Sequence, residues 1–378
     1  HVTDFAWQDN THIRWLGRRG VWTEWSTAST STANAPGTAP ADGPILRVVD
    51  TSAGKDVAAA IADTPEHPQE VFLLRDGEAP KRLTDSNPIL GQRRLAKQEA
   101  ITYTARDGLE LEAVLIHPFN KKRGGNPLIV FAHGGPEAHH SNGWMSSYSQ
   151  PGQVMAAEGY AVIYPNYRGS TGRGVYFSKL GQNDYAEEEF NDLVDAKRYL
   201  VEKDLADPQR VGISGGSYGG YASMWGATAL SEEYAAAVAF VGISNQVSKF
   251  GTGDIPYEMY NVHSRAWPWD DWMWMLKRSP VYHADKAKTP LLIMHGDQDP
   301  RVHPSQSLEM YRHVKLRTDT PVRLVFYPGE QHGNRNTAAT YDYALRFKRW
   351  MDHYLKGPGG EPPPYEIDHA SKLDDSDD

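Results

Sequence analysis

One ten-residue run limits the fold more than anything else in this chain. Val211-Gly-Ile-Ser-Gly-Gly-Ser-Tyr-Gly-Gly220 joins a β-rich segment to a small-residue helical run that continues through Trp225. Gly215–Gly219 contains the pattern G-x-S-x-G, the signature of a strand–turn–helix corner that lifts a serine hydroxyl clear of a sheet. Glycines flank Ser217 because side chains there would strike neighbouring backbone, and a helix N-terminus beyond it favours developing negative charge. The competing reading is a chance Gly/Ser turn. The strand before it and the helix after it weigh against that.

Such a corner needs a parallel sheet around it, and the sequence from about Glu99 to Leu355 supplies one. Continuous apolar runs of buried-strand type recur at Leu128–Ala132, Ala161–Tyr164, Val211–Ser214, Ala236–Val241, Leu291–Met294 and Val322–Tyr327. Helical stripes lie between them. Phe190, Leu193, Val194, Tyr199, Leu200 and Val201 follow an acidic first turn, Glu187–Glu189, and a second stripe runs from Tyr341 to Leu355. A hairpin around Arg106-Asp-Gly108 precedes them. Strands alternating with helices predict an α/β, doubly wound, mostly parallel sheet, with its chemistry at the carboxyl ends of the strands.

Residues 1–96 read differently. Short strand-like runs at His12–Leu16, Ile45–Val49, Val57–Ala62 and Val71–Leu74 alternate with turn-rich stretches such as Arg75-Asp-Gly77, which predicts an all-β region. Between Ser26 and Gly43 no large apolar residue occurs, so that stretch is expected to be a mobile loop or insertion.

A serine nucleophile needs a base and an orienting acid, in the order Ser, Asp, His for this fold. Asp297 and Asp299 follow the Leu291–Met294 strand, and His332 follows the Val322–Tyr327 strand, all on the sheet edge that carries Ser217. Fifteen histidines dilute any single one, but strand, turn and glycine agree only at His332. The oxyanion hole is expected from the backbone N–H of Tyr218 and, after the Leu128–Ala132 strand, the N–H of Gly135 in His133-Gly-Gly-Pro136.

Charge narrows the partners. Of the net −9, residues 361–378 carry −6 (seven acids against Lys372), leaving −3 on the rest. A near-neutral body argues against nucleic acid as the main partner, and no apolar run approaches the length that spans a membrane. The absence of cysteine removes disulfides, thiol catalysis and cysteine-ligated metal sites. The chain opens on His1 with no charged-then-apolar leader. The expectation is that its true N-terminus is absent, which leaves the compartment open between cytoplasm and periplasm or secretion.

Five ordered motifs now carry a resemblance. Gly215-Gly-Ser217-Tyr-Gly-Gly220, His133-Gly-Gly-Pro136, Asn166-Tyr-Arg-Gly-Ser-Thr-Gly172, His295-Gly-Asp-Gln-Asp299-Pro-Arg-Val302 and Gln331-His-Gly333 resemble the prolyl oligopeptidase family of serine peptidases over roughly residues 97–357. His133 resembles the acylaminoacyl-peptidase branch, where other branches carry tyrosine. The resemblance implies an α/β-hydrolase domain at 97–357 preceded by the C-terminal blades of a β-propeller at 1–96, incomplete, with 358–378 a flexible acidic tail. It implies Ser217 as nucleophile, Asp299 as orienting acid and His332 as base, with Asp297 structural. Arg301 falls where the family binds the substrate carbonyl before P1; Val302, Tyr218 and Ile243 would line the P1 pocket. The alternative for Arg301 is a surface salt bridge, and Arg168 is expected to be a buried structural arginine.

The function implied is hydrolysis of short peptides near their N-terminus through an acyl-enzyme, with no metal or cofactor. A carboxylesterase with the same triad, and a catalytically silent fragment, are the alternatives. The expected partners are short peptides, an N-terminal propeller fragment of the same precursor, and a second copy of the chain. Trp267-Pro-Trp-Asp-Asp-Trp-Met-Trp-Met-Leu276 is expected to form a helix packed between hydrolase and propeller, with peptide stacking or an oligomer contact as the alternatives.

Overall fold

Alternate residues of the buried strands face opposite ways, and helices cover both faces. Leu128, Val130, Ala132, Val211 and Ile213 pack with Phe190, Leu193 and Leu200 of the Glu188–Glu202 helix. Ile129, Phe131, Val238 and Leu292 pack with Phe347, Trp350 and Leu355 of the Thr337–Leu355 helix. Phe131 stacks on Tyr164 and Phe347 at 5.1 and 5.6 Å. A strand buried on both sides has no polar face, which is why these runs are apolar throughout. The structure, a computed structural model, describes residues 1–31, 43–51, 57–75 and 77–370.

Fifteen strands are formed among those residues. β1 (Val2–Trp7), β2 (His12–Arg19) and β3 (Trp22–Ser29) make one antiparallel sheet. β4 (Ile45–Thr51), β5 (Val57–Thr64), β6 (His67–Arg75) and β7 (Lys81–Arg82) make a second, a four-stranded antiparallel meander. The remaining strands are β8 (Gln98–Thr104), β9 (Glu110–Ile116), β10 (Leu128–Ala132), β11 (Ala161–Asn166), β12 (Val211–Gly216), β13 (Ala236–Phe240), β14 (Leu291–Gly296) and β15 (Val322–Tyr327). They form one sheet in the order β15-β14-β13-β12-β10-β11-β9-β8, with β10 to β15 parallel and β8 and β9 antiparallel at one edge. This is the α/β-hydrolase architecture. After β11 the chain returns past β10 to lay down β12, so the order reverses between β10 and β12, where such sheets open a crevice at their carboxyl ends.

The all-β sheets grip the loops that lead into this crevice. Asn142 N–H donates to the Val21 carbonyl at 2.8 Å, and Gly20 N–H donates to the Gly172 carbonyl at 2.9 Å. Asp63, buried on β5, accepts from Trp144 N–H at 2.8 Å and pairs with Arg47 at 2.6 Å. Gly143 lies so close to Asp63 that a Cβ there would overlap its carboxylate.

Three expectations are corrected. β1 and β3 were not foreseen, and β3 takes in Ser26–Ser29, the start of the presumed loop; residues 32–42 and Asp76 lie outside the described residues. The tryptophan segment does not pack between the two parts. Its Trp272–Lys277 helix packs on the Gln246–Thr252 helix and the Pro280–Lys286 turn within the hydrolase part, while Trp269 and Trp272 stay about half exposed. Residues 361–370 are mostly exposed, as a solvated end would be, but are tied down rather than free. Arg349, Arg346 and Arg323 donate to the carbonyls of Glu366, Tyr365 and Pro364, because guanidinium forks match exposed backbone oxygens. Residues 371–378 lie outside the described residues. The acidic turn expected at Glu187–Glu189 opens the Glu188–Glu202 helix, with Glu189 fully buried. Among the described residues no helix is long and apolar enough to cross a membrane.

Removing the Asp63 carboxylate strands Trp144 N–H and the half-exposed Arg47. Asp63→Ala is therefore expected to lower stability by about 1–3 kcal/mol and to speed proteolysis of the 138–144 loop. Unchanged urea midpoint and cleavage rate would contradict this docking.

Candidate active site

The turn after β12 is shaped by what glycine permits. A Cβ on Gly215 or Gly219 would run into the Ala132 carbonyl oxygen at the end of β10, and one on Gly220 would lie 2.5 Å from the Phe240 carbonyl oxygen. These approaches pin the Tyr218–Ala227 helix directly over β10 and β13. Ser217, held at the corner, takes φ 60° and ψ −118°, a left-handed conformation that a side chain rarely adopts. Its N–H donates to the Phe240 carbonyl at 2.9 Å and its carbonyl accepts from Tyr221 N–H at 2.9 Å, so neighbouring backbone over-determines the strained residue.

The loop after β10 closes on this corner. Gly134 packs beside Ser217: a Cβ on it would lie 3.3 Å from the Ser217 Cβ and 3.9 Å from its Oγ. Gly135 follows at φ 116°, which glycine tolerates and other residues resist. Its N–H makes no hydrogen bond among the described residues. Tyr218 N–H is the first of the helix and has no partner within it. Two backbone donors thus stand beside the serine. His133 anchors the loop from below: it stacks on Tyr167 at 4.2 Å, with Nε2 2.8 Å from Ser170 Oγ. Burial pushes it down to about 4, so it is a neutral packing group.

His332 and Asp299 meet as the sequence order requires. His332 Nδ1 lies 2.7 Å from Asp299 Oδ2. Asp299 is buried, and its Oδ1 accepts from the N–H groups of Arg301 at 2.8 Å and Val302 at 3.1 Å. Burial alone would raise this carboxyl, but hydrogen bonds from His295 and His332, and their charges, outweigh it and hold the group well below the usual carboxylate range. His332 Nδ1 therefore carries the hydrogen that points at Asp299, which leaves Nε2 as a proton acceptor. Among the described residues the Ser217 hydroxyl makes no hydrogen bond, the open geometry common before substrate binds.

Asp297 holds the His332 turn in place. It accepts from Gly329 N–H at 2.7 Å, while Gln298 N–H donates to the Glu330 carbonyl at 2.9 Å. Arg168 is buried with Asp192, at 2.7 and 2.9 Å, and Asp107, at 2.9 Å. Arg301 is about half exposed and its Nε donates to Asp254 at 2.7 Å, the surface salt bridge. Tyr218, Ile243 and Val302 are all buried and belong to one apolar cluster.

Sequence reasoning missed two supports. Fully buried His295 places Nε2 3.1 Å from Asp299 Oδ2 and 2.8 Å from the Val302 carbonyl, with Nδ1 2.6 Å from Ser307 Oγ. It meets the same carboxylate oxygen that His332 does, and so helps hold the acid in place. Its position in the His295-Gly-Asp motif was a signal, since it ends a strand four residues before the acid. Glu189 lies beneath Tyr218, whose hydroxyl donates to it at 2.5 Å, and Ala186 N–H donates to the same oxygen at 2.9 Å. Burial pushes Glu189 up to about 8. No sequence signal separates it from its solvated neighbours Glu187 and Glu188.

Comparison with known proteins places the chain in a family. The model of the prolyl oligopeptidase family matches residues 146–358, more than half of the chain. The chain belongs to that family. Family relatives include the uncharacterized peptidase YuxL of Bacillus subtilis, 31% identical over 300 residues, covering 77% of this chain and 44% of the relative. The acylamino-acid-releasing enzyme of Sus scrofa is 32% identical over 266 residues, covering 68% of this chain and 35% of that enzyme. The chain thus spans less than half the length of these two relatives. The solved acylaminoacyl peptidase of Pyrococcus horikoshii superposes with a TM-score of 0.82 at 24% identity, over 95% of this chain and 56% of that one, which shows the shared fold.

Glu189 gives a pH test. Above the ordinary Glu range the unfolded chain has lost this proton while the folded chain keeps it, so stability falls as pH rises toward 8. Glu189→Gln, which cannot ionise, is expected to gain about 2–3 kcal/mol relative to the wild type between pH 6 and pH 8 in urea denaturation. A pH-independent difference would mean that Glu189 is already charged when folded.

Proposed function

We propose that this chain is a serine peptidase that cleaves short peptides near their N-terminus. What supports the reading is the convergence, on one sheet edge, of a strained serine, two free backbone N–H donors and a histidine tied to a buried carboxylate. The family and the name of the acylamino-acid-releasing relative favour a peptide over an ester. The division into propeller blades at 1–96 and hydrolase at 97–357 belongs to the same proposal.

In this mechanism Ser217 Oγ attacks the scissile carbonyl carbon while His332 Nε2 takes the hydroxyl proton. The carbonyl π pair moves onto oxygen, where the N–H groups of Tyr218 and Gly135 receive it. Asp299 keeps the imidazolium oriented and stabilised without becoming protonated. His332 then returns the proton to the leaving amine as the C–N bond breaks, and water, deprotonated by the same base, releases the acid from the acyl-enzyme. Val302, Ile243 and the ring of Tyr218 would wall the P1 pocket. The Tyr218 hydroxyl is committed to Glu189, so it offers no donor to substrate. Arg301 would have to leave Asp254 to reach a substrate carbonyl.

The test is activity-based labelling of the full chain. A fluorophosphonate probe is expected to add one adduct, on Ser217 by peptide mapping, and Ser217→Ala is expected to take none. Turnover of peptide p-nitroanilides in that variant should fall at least ~10³-fold. Absence of labelling in the wild-type chain, or labelling that survives the substitution, would overturn the reading. Turnover of simple esters with no detectable cleavage of peptides would move the substrate class to esters.

A further inference from the structure

Beside the oxyanion loop lies a group of side chains that the peptidase reading leaves unused. Glu137 follows Gly135 by two residues. Glu258 and His263 come from the excursion between β13 and β14, where Met259–Ser264 forms a π-helical turn. Glu258 immediately precedes this turn and His263 lies near its end, and their side chains meet. Oxygens of Glu137 and Glu258 lie 3.6 and 3.8 Å from His263 Nε2, and all three atoms fall within 4.8 Å of one another.

His263 supplies the independent observation. It is 4% exposed, and its buried Nε2 has no hydrogen-bond partner although it is aimed between the two carboxylates. Its other nitrogen lies 3.1 Å from the Tyr185 hydroxyl, itself buried, and its ring packs edge-on against Tyr185 and Tyr218. Such a ring cannot turn away to find another partner. A metal-bound histidine is commonly held in this way, with its second nitrogen fixed by an outer hydrogen bond.

We propose that Glu137, Glu258 and His263 bind a divalent transition-metal ion of the zinc class. One imidazole and two carboxylates suit such an ion, and three protein ligands leave a position open to water or a small anion. Ligands at about 2.0–2.1 Å from a tetrahedral ion stand about 3.4 Å apart, so the observed spacing needs only a small closure. The two glutamate side chains, each about one-third exposed, have room to make it. The buried Lys249 amine, pushed down by burial and drawn up by Glu258 and Glu137, and Arg301, which also feels Glu258, are positive charges that such an ion would have to overcome. Bound there, the ion would tie the loop that carries Gly135 to the excursion that packs on Tyr218.

Full-length chain stripped with chelator and titrated with zinc by calorimetry tests this without reference to peptidase activity. The expected result is one equivalent bound with micromolar or tighter Kd, weakened at least ~10-fold in Glu137→Gln and ~100-fold in His263→Ala. Cobalt(II) should give visible absorption bands that His263→Ala abolishes. Glu137 is about one-third exposed, so Glu137→Gln keeps the test valid if the histidine variant misfolds. No zinc uptake by the wild-type chain, or uptake with unchanged affinity in Glu137→Gln, would overturn the proposal and leave the cluster a plain ion pair.

Discussion

The site depends on one close backbone contact. The Ala132 carbonyl at the end of β10 occupies space that a Cβ on Gly215 or Gly219 would need. Because β10 and β12 are paired in parallel, with Ala132 opposite Gly215, that contact fixes the height of the turn above the sheet. The turn in turn forces Ser217 into its left-handed conformation and starts the Tyr218–Ala227 helix there. Everything else in the site is aimed at that point: the His133–Pro136 loop from one neighbouring strand end, and the loops after β14 and β15 from the other side.

The acid–base half is built by satisfaction of a buried carboxylate rather than by steric fit. Asp299 sits out of water with four donors around it, namely two backbone N–H groups and two imidazoles. A buried, fully bonded carboxylate is both charged and immobile, which is what an orienting group must be. His295 belongs to this arrangement as a positioning residue. Its ring is locked between Ser307 and the Val302 carbonyl, so the acid cannot rotate away from His332.

The sequence made the hydrolase sheet legible because strands buried on both faces leave unbroken apolar runs, and the six runs that were read all became strands. The serine corner was legible because glycine spacing there is dictated by backbone contact, which is local. β1 was missed because it is an exposed edge strand, and Val2, Phe5 and Trp7 face solvent in place of a core. β3 was missed because Thr, Ser and Ala in Trp22–Ser29 carry no clear alternation. Glu189 and the Glu137–Glu258–His263 group were beyond reach for another reason: their meaning comes from neighbours far along the chain. The docking of residues 361–370 was hidden likewise, since backbone carbonyls, which every sequence has, receive the arginines.

The central claim is that Asp299 holds His332 as a base for Ser217. The most direct measurement is the rate at which a fluorophosphonate labels Ser217 in Asp299→Asn compared with the wild-type chain. The amide keeps the shape but its NH2 donates to Nδ1 and so moves the ring proton to Nε2, and labelling is expected to slow by about 10³-fold or more while the fold, followed by circular dichroism, is retained. A folded Asp299→Asn chain that labels as fast as the wild type would contradict the account.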